Sequence, residues 1–147
     1  MFRKIQKKDK EFYINSANDF YNSDAVDHKI PIKNIEKTFN ELMRSNEYAE
    51  GYIFEKDGEK VGYALLAKSF SQEAGGIVIW LEEIYILPQF RSLGLGGEFI
   101  SFLKEKQDYS RLRLELSPTN NRAYNAYQRH GFEVLDYKQM IFDKKFD

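Results

Sequence analysis

The sequence predicts a mixed α/β domain in the order β-α-α-β-β-β-α-β-α-β, with room for one more closing strand. Three observations carry this. Apolar residues recur at helical spacing in three segments, an Asp57-Gly58 pair separates two apolar runs, and residues 111–116 alternate strictly between apolar and charged. No segment repeats and no linker-like stretch interrupts the 147 residues, so residues 1–147 read as one domain.

Residues 2–5 form a short apolar-containing first strand. Residues 9–22 place Phe12, Tyr13, Ala17, Phe20 and Tyr21 at helical spacing, and residues 32–44 do the same with Ile32, Ile35, Phe39, Leu42 and Met43. Pro31 stands near the start of that second helix, where a missing N–H costs nothing. Residues 48–55 and 61–68 are strands joined at Asp57-Gly58, a dipeptide suited to the positive φ angles of a tight hairpin. A Gly-rich loop over 71–76 leads to a long strand, 77–87, that stops at Pro88. Residues 94–106 carry Leu95, Phe99, Ile100 and Leu103 on one helical face. Residues 111–116 put Leu112, Leu114 and Leu116 opposite Arg111, Arg113 and Glu115. Asn120 or Asn121 caps a helix to about Arg129, Gly131 ends it, and residues 133–143 supply one or two closing strands.

Composition excludes several classes of function. The 22 basic and 23 acidic residues nearly cancel, so no whole-molecule basic field exists to grip a nucleic acid. There is no cysteine, which removes disulfides, thiolate metal sites and a Cys nucleophile. The two histidines are too few for a metal cluster. No apolar run approaches the roughly 20 residues of a membrane span, and no apolar segment follows the basic start as in a secretory signal. A cytoplasmic setting is expected.

The chemistry sits in Ile84-Tyr85-Ile86-Leu87-Pro88-Gln89-Phe90-Arg91-Ser92-Leu93-Gly94-Leu95-Gly96-Gly97, a strand, a turn and a helix start. Glycines let backbone N–H groups approach a ligand, the helix start adds unpaired donors and a positive dipole end, and Arg91 adds a cation. This is a cradle for phosphate or pyrophosphate. It is not a P-loop, which requires Gly-Lys-Ser/Thr, and it is not a dinucleotide fingerprint, because position 99 is Phe.

Arg91-x-x-Gly94-x-Gly96, followed by Asn120-x-x-Ala123-x-x-x-Tyr127-x-x-x-Gly131-Phe132, resembles the GNAT superfamily of acyl-CoA-dependent N-acyltransferases. The resemblance covers about residues 77–135. It implies a central mixed, mostly antiparallel sheet flanked by helices, with the closing strands as a pair. It also implies acetyl-CoA as co-substrate, no metal, and a small-molecule amine as acceptor, with neither nucleic acid nor membrane as partner. Self-association is common in this fold, and residues 137–142 offer strands that could pair across a homodimer.

The resemblance further implies residue roles. Arg91, Ser92, Leu93, Gly94, Leu95, Gly96 and Gly97 would cradle the pyrophosphate. Ile84, Tyr85 and Ile86 would offer main-chain groups to the pantetheine arm, and Asn120 would contact that arm or simply cap its helix. Tyr127 matches the tyrosine beside the CoA sulfur, where a phenol can protonate the departing thiolate. The general base of the diamine and polyamine branch aligns with Glu82. Glu115 matches a catalytic glutamate in the branch that acetylates protein amino termini, and Glu83 or a water chain completes the alternatives. Alternation sends Glu82 and Glu83 to opposite faces, and a β-bulge would exchange them. Glu11, Asp19, Asp24 and Asp27 make the first-helix region acidic, which suits a cationic amine or is merely a solvated face. With no Cys and no Gly-x-Ser-x-Gly elbow, direct attack in a ternary complex is expected over an acyl-enzyme. A non-catalytic acyl-CoA sensor, an acetyltransferase acting on protein amino termini or lysines, and an unrelated nucleotide-phosphate binder are the competing readings.

Overall fold

A computed structural model describes residues 1–147 apart from 25, 27, 107 and 145–147. The chain runs β1 (Phe2–Lys4), a 3-10 turn, α1 (Lys10–Tyr21), α2 (Ile32–Arg44), β2 (Ala49–Lys56), β3 (Glu59–Ser71) and β4 (Gly76–Ile86). It continues through α3 (Leu95–Glu105), β5 (Arg111–Leu114) and α4 (Asn121–Arg129). The five strands lie in sequence order in one sheet, antiparallel except for the parallel pair β4–β5. That one parallel pair follows from the α3 crossover between its strands.

Strand alternation divides the core in two. Tyr52, Phe54, Val61, Leu66, Ile79 and Leu81 meet Leu95, Phe99, Ile100 and Leu103 of α3 on one face of the sheet. Ile53, Tyr63 and Tyr85 meet Tyr13 and Ala17 of α1 and Ile35 and Phe39 of α2 on the other. Asp57 and Gly58 both take positive φ, 51° and 78°, as the β2–β3 hairpin requires. Buried Asp9, just before α1, binds Arg3 of β1 at 2.8 Å and Lys60 of β3 at 2.9 Å, so three elements share one carboxylate.

The expected closing strands do not form. Residues 133–144 belong to no helix or strand. A strand exists only through a pairing partner, and β5 pairs with β4 alone among the described residues. The alternating run at 111–116 likewise pairs only as far as Leu114, leaving Glu115 and Leu116 beyond the ladder. Asp27 lies outside the described residues. Among those described, no helix is long and apolar enough to cross a membrane, and no group of three or more His, Asp or Glu is arranged to hold a metal.

Candidate active site

The site begins where two strands part. β4 and β5 pair only from Val78↔Arg111 to Leu81↔Leu114. Beyond Leu81, β4 continues to Ile86 along β3 alone, so its other edge opens. At the parting point the β3–β4 ladder slips: Leu66 faces Leu81 and Leu65 faces Glu83, so Glu82 is an extra residue in a bulge. The slip sends Glu83, with Tyr85, to the α1–α2 face, while Leu81, Ile84 and Ile86 stay against α3.

The strand ends in a turn that could hold an anion. Arg91 Nε donates to the Ile86 carbonyl at 2.7 Å, and its guanidinium stands 5.4 Å from the Tyr85 ring centre. This fixes the cation at the mouth of the opened strand, with the remaining N–H groups of its fork available to a ligand. Gly94 adopts φ 82°, the left-handed conformation that starts α3 without a Cβ penalty. The first N–H groups of α3 then point outward with no intrahelical acceptor.

Between the opened edge of β4, α3 and α4 lies a cleft of about 550 Å³. Ile84, Tyr85, Ile86, Arg91, Gly96, Gly97 and Tyr127 all line it, which joins both sequence motifs in one cavity. A Cβ on Gly97 would come 3.4 Å from His130 Nε2, so glycine keeps the passage between α3 and α4 open. This narrow slot, with an anion cradle at one end, fits a pyrophosphate carrying a slender chain. Glu82, Ser92, Leu93, Gly94, Leu95 and Asn120 do not line the cleft. Leu95 is packed in the core, Ser92 and Gly94 shape the turn, and Asn120 Oδ1 accepts from Ala123 N at 3.1 Å as the cap of α4.

Ala123, a motif position given no role by the sequence, and Ala126 and His130, which sequence reasoning passed over as site residues, line the cleft with Tyr127. Their spacing of three, one and three residues traces a single face of α4, with small residues where the helix must leave room. Phe20, Ser23 and Asp24 also reach the cleft from the end of α1, through a contact distant in sequence.

The carboxylates differ sharply in setting. Glu83 is buried: Tyr63 Oη donates to its Oε1 at 2.6 Å and Tyr21 Oη donates to its Oε2. Burial pushes its carboxyl above the ordinary range while the two hydroxyls pull it back. Glu82 is exposed as a residue, yet partial burial of its carboxyl, then the nearby charges of Glu83 and Glu115, hold it above the usual carboxylate range. Burial alone raises the Tyr127 hydroxyl, which keeps it protonated at neutral pH.

Comparison with known proteins bears on the family and the fold. The model of the acetyltransferase (GNAT) family matches residues 11–132. Thialysine N-epsilon-acetyltransferase of Bos taurus is 36% identical over 78 residues, 51% of this chain and 45% of the relative. The matches span about half the length of the curated relatives. A possible acetyltransferase from Clostridium difficile 630 superimposes with a TM-score of 0.84 at 12% identity, covering 99% of this chain and 98% of that one. The aminoglycoside N-acetyltransferase AAC(6')-Iy, solved in complex with CoA, gives 0.71 at 20% identity, with 99% and 93% covered. At these identities the structural likeness speaks for the fold.

Proposed function

The chain belongs to the acetyltransferase (GNAT) family, and we propose that it transfers an acetyl group from acetyl-CoA to a primary amine, by direct attack in a ternary complex. The observation that carries this reading is the shared cleft: opened β4, Arg91, the α3 glycines and Tyr127 line one cavity. Bound acetyl-CoA supplies an activated thioester.

The protein's residues then have distinct tasks. Arg91 and the N–H groups at the start of α3 hold the pyrophosphate. Ile84, Tyr85 and Ile86 present main-chain groups along the opened edge, where an N–H can steady the developing oxyanion. Glu82 takes a proton from the acceptor's ammonium, and the neutral amine so formed attacks the thioester carbonyl. The raised pKa of Glu82 makes it a better base than an ordinary carboxylate, and its exposure lets an amine reach it. Glu83 is a poorer candidate, since both its oxygens already accept tyrosine hydroxyls. Tyr127 gives its proton to the departing sulfur, and solvent restores both groups.

The acceptor is a small cationic amine. The charges of Glu83 and Glu115 act on Glu82, and Asp24 adds charge at the cleft. Together they attract a cation and repel an anion. Two of the proteins compared above are named for thialysine and aminoglycosides, both amines. Turnover assays with wild type, Tyr127→Phe and Glu82→Gln test the proposal. Loss of activity in Glu115→Gln, with Glu82→Gln unaffected, would move the base to Glu115.

A further inference from the structure

The α1–α2 face of β4 and β5 carries a cation that the chemistry proposed above does not use. Leu112 and Leu114 pack on the α3 side, so alternation turns Arg113 the other way. Its register partner Trp80, between Ile79 and Leu81 of the α3 side, turns with it. The Arg113 guanidinium stands 4.1 Å from the Trp80 ring centre, within reach of a cation–π stack. Trp80 is half-buried, and its indole Nε1 donates to Ser69 Oγ at 3.4 Å. The ring is thereby steadied as a plate under the guanidinium.

A guanidinium has five N–H donors, and stacking uses none of them. Among the described residues Arg113 makes no ion pair and no hydrogen bond. Glu73 feels its charge but is bound by Arg111 at 3.0 Å. One basic residue of β5 is therefore paired, while the next holds an open fork.

Acid lies one step further along the same two segments. Glu115 follows Arg113 by two residues, and Glu82 follows Trp80 by two. The charge of Glu115 acts on Glu82, so these carboxylates stand near each other where the strands part. Two residues of strand advance about 6.5 Å, which separates the cation from the anions by the length of a short methylene chain. Arg113 and Glu115 both open into a groove of about 640 Å³ along the outer edge of β5, and Tyr127 lines that groove as well as the cleft.

A ligand matched to this pattern carries both signs of charge. A plain diamine would leave Arg113 facing an ammonium, and a simple acid would meet the glutamates. We propose that the acceptor is an amino acid with a terminal amine on its side chain, its carboxylate held by Arg113 and its terminal ammonium drawn to Glu82 and Glu115. This rests on the acetyl-transfer reading above and names the acceptor class for it. The guanidinium fork takes a carboxylate through two parallel N–H bonds, a geometry that an ammonium does not offer. Trp80 orients the fork beforehand, so less side-chain freedom is lost when the carboxylate arrives. With two ammonium groups and one carboxylate, such an amino acid remains a cation overall and suits the acidic mouth.

Pairs of compounds that differ only in the carboxylate test the proposal: lysine against cadaverine, and ornithine against putrescine. Calorimetric binding in the presence of CoA and rates of acetyl transfer are measured for each. The amino acid of each pair is expected to bind roughly 10–100-fold tighter than its diamine, the value of a charge-assisted contact. Arg113→Gln should bring that ratio close to one, Arg113→Lys should restore part of it, and Trp80→Leu should narrow it, with circular dichroism reporting the fold of each variant. Preferential binding without transfer would sink the acetyl-transfer reading and leave Arg113 standing as a carboxylate site. Diamines that bind as well as their amino acids, no binding by either, or a preference that Arg113→Gln leaves intact would each overturn it.

Discussion

Glu83 accepts a 2.6 Å hydrogen bond from Tyr63, and it does so because the neighbouring Glu82 is the extra residue of a bulge. Without that insertion Glu83 would face α3 and Glu82 would meet the tyrosines. The bulge thus gives one carboxylate to the interior and leaves its neighbour at the surface.

Substituting the two should therefore separate chemistry from folding. Glu82→Gln is expected to lower kcat by about 10²–10⁴, the usual contribution of a positioned base, with little change in melting temperature. Glu83→Gln is expected to cost about 1–3 kcal/mol of stability, because its charge-assisted bonds to Tyr21 and Tyr63 weaken. Steady-state kinetics and denaturant unfolding on both variants check the division.

The pH profile offers an independent reading of the base. Glu82 must be ionised to accept a proton, and its pKa lies above the ordinary carboxylate value. Activity should fall as pH drops through that raised pKa, so the acid limb appears at higher pH than a free glutamate would give. In Glu82→Gln the residual rate should lose this limb. If the limb persists there and vanishes in Glu115→Gln, Glu115 is the base.

Arg91 should act on binding rather than on chemistry. Its Nε bond to Ile86 positions a cation at the cleft, and a charge-assisted contact of about 1.5–3 kcal/mol corresponds to roughly 10–100-fold in affinity. Arg91→Met should raise the Kd for CoA by about that factor while Kd for the amine stays nearly constant. Calorimetric titration measures both.

Asp9 carries a stability prediction remote from the cleft. Arg3, Lys60 and the Gln6 N–H hold its carboxyl well below the usual range. A depressed folded-state pKa means the contribution is fully present above the unfolded value of about 3.9 and is lost as pH falls through the folded value. Asp9→Asn should cost about 3 kcal/mol at pH 7, since it leaves two cations facing a neutral side chain. Urea unfolding should show that cost shrinking at strongly acid pH.

Local patterns made much of this molecule legible. The α2 boundaries, the Asp57-Gly58 hairpin, the cap at Asn120 and the turn at Arg91–Gly97 each follow from residues adjacent in sequence. The bulge at Glu82 was open to sequence reasoning only as an alternative, because Glu82-Glu83 looks the same in either register and the choice depends on β3 across the ladder. Phe20 and Asp24 reach the cleft through the packing of α1, which no local pattern encodes. Residues 133–143 misled for a related reason: they have the composition of strands, yet a strand exists only through pairing, and among the described residues no ladder includes them.

Thiol release from acetyl-CoA, followed over a panel of cationic amines, aminoglycosides, amino acids and peptides, tests the central claim most directly. Because the chain contains no cysteine, a thiol reagent reports only the CoA produced. The account predicts turnover with a cationic amine, slowed about 10²–10⁴-fold by Tyr127→Phe. Acetyl-CoA binding without turnover on any amine would contradict the catalytic reading, and failure to bind acetyl-CoA would contradict the assignment of the cleft itself.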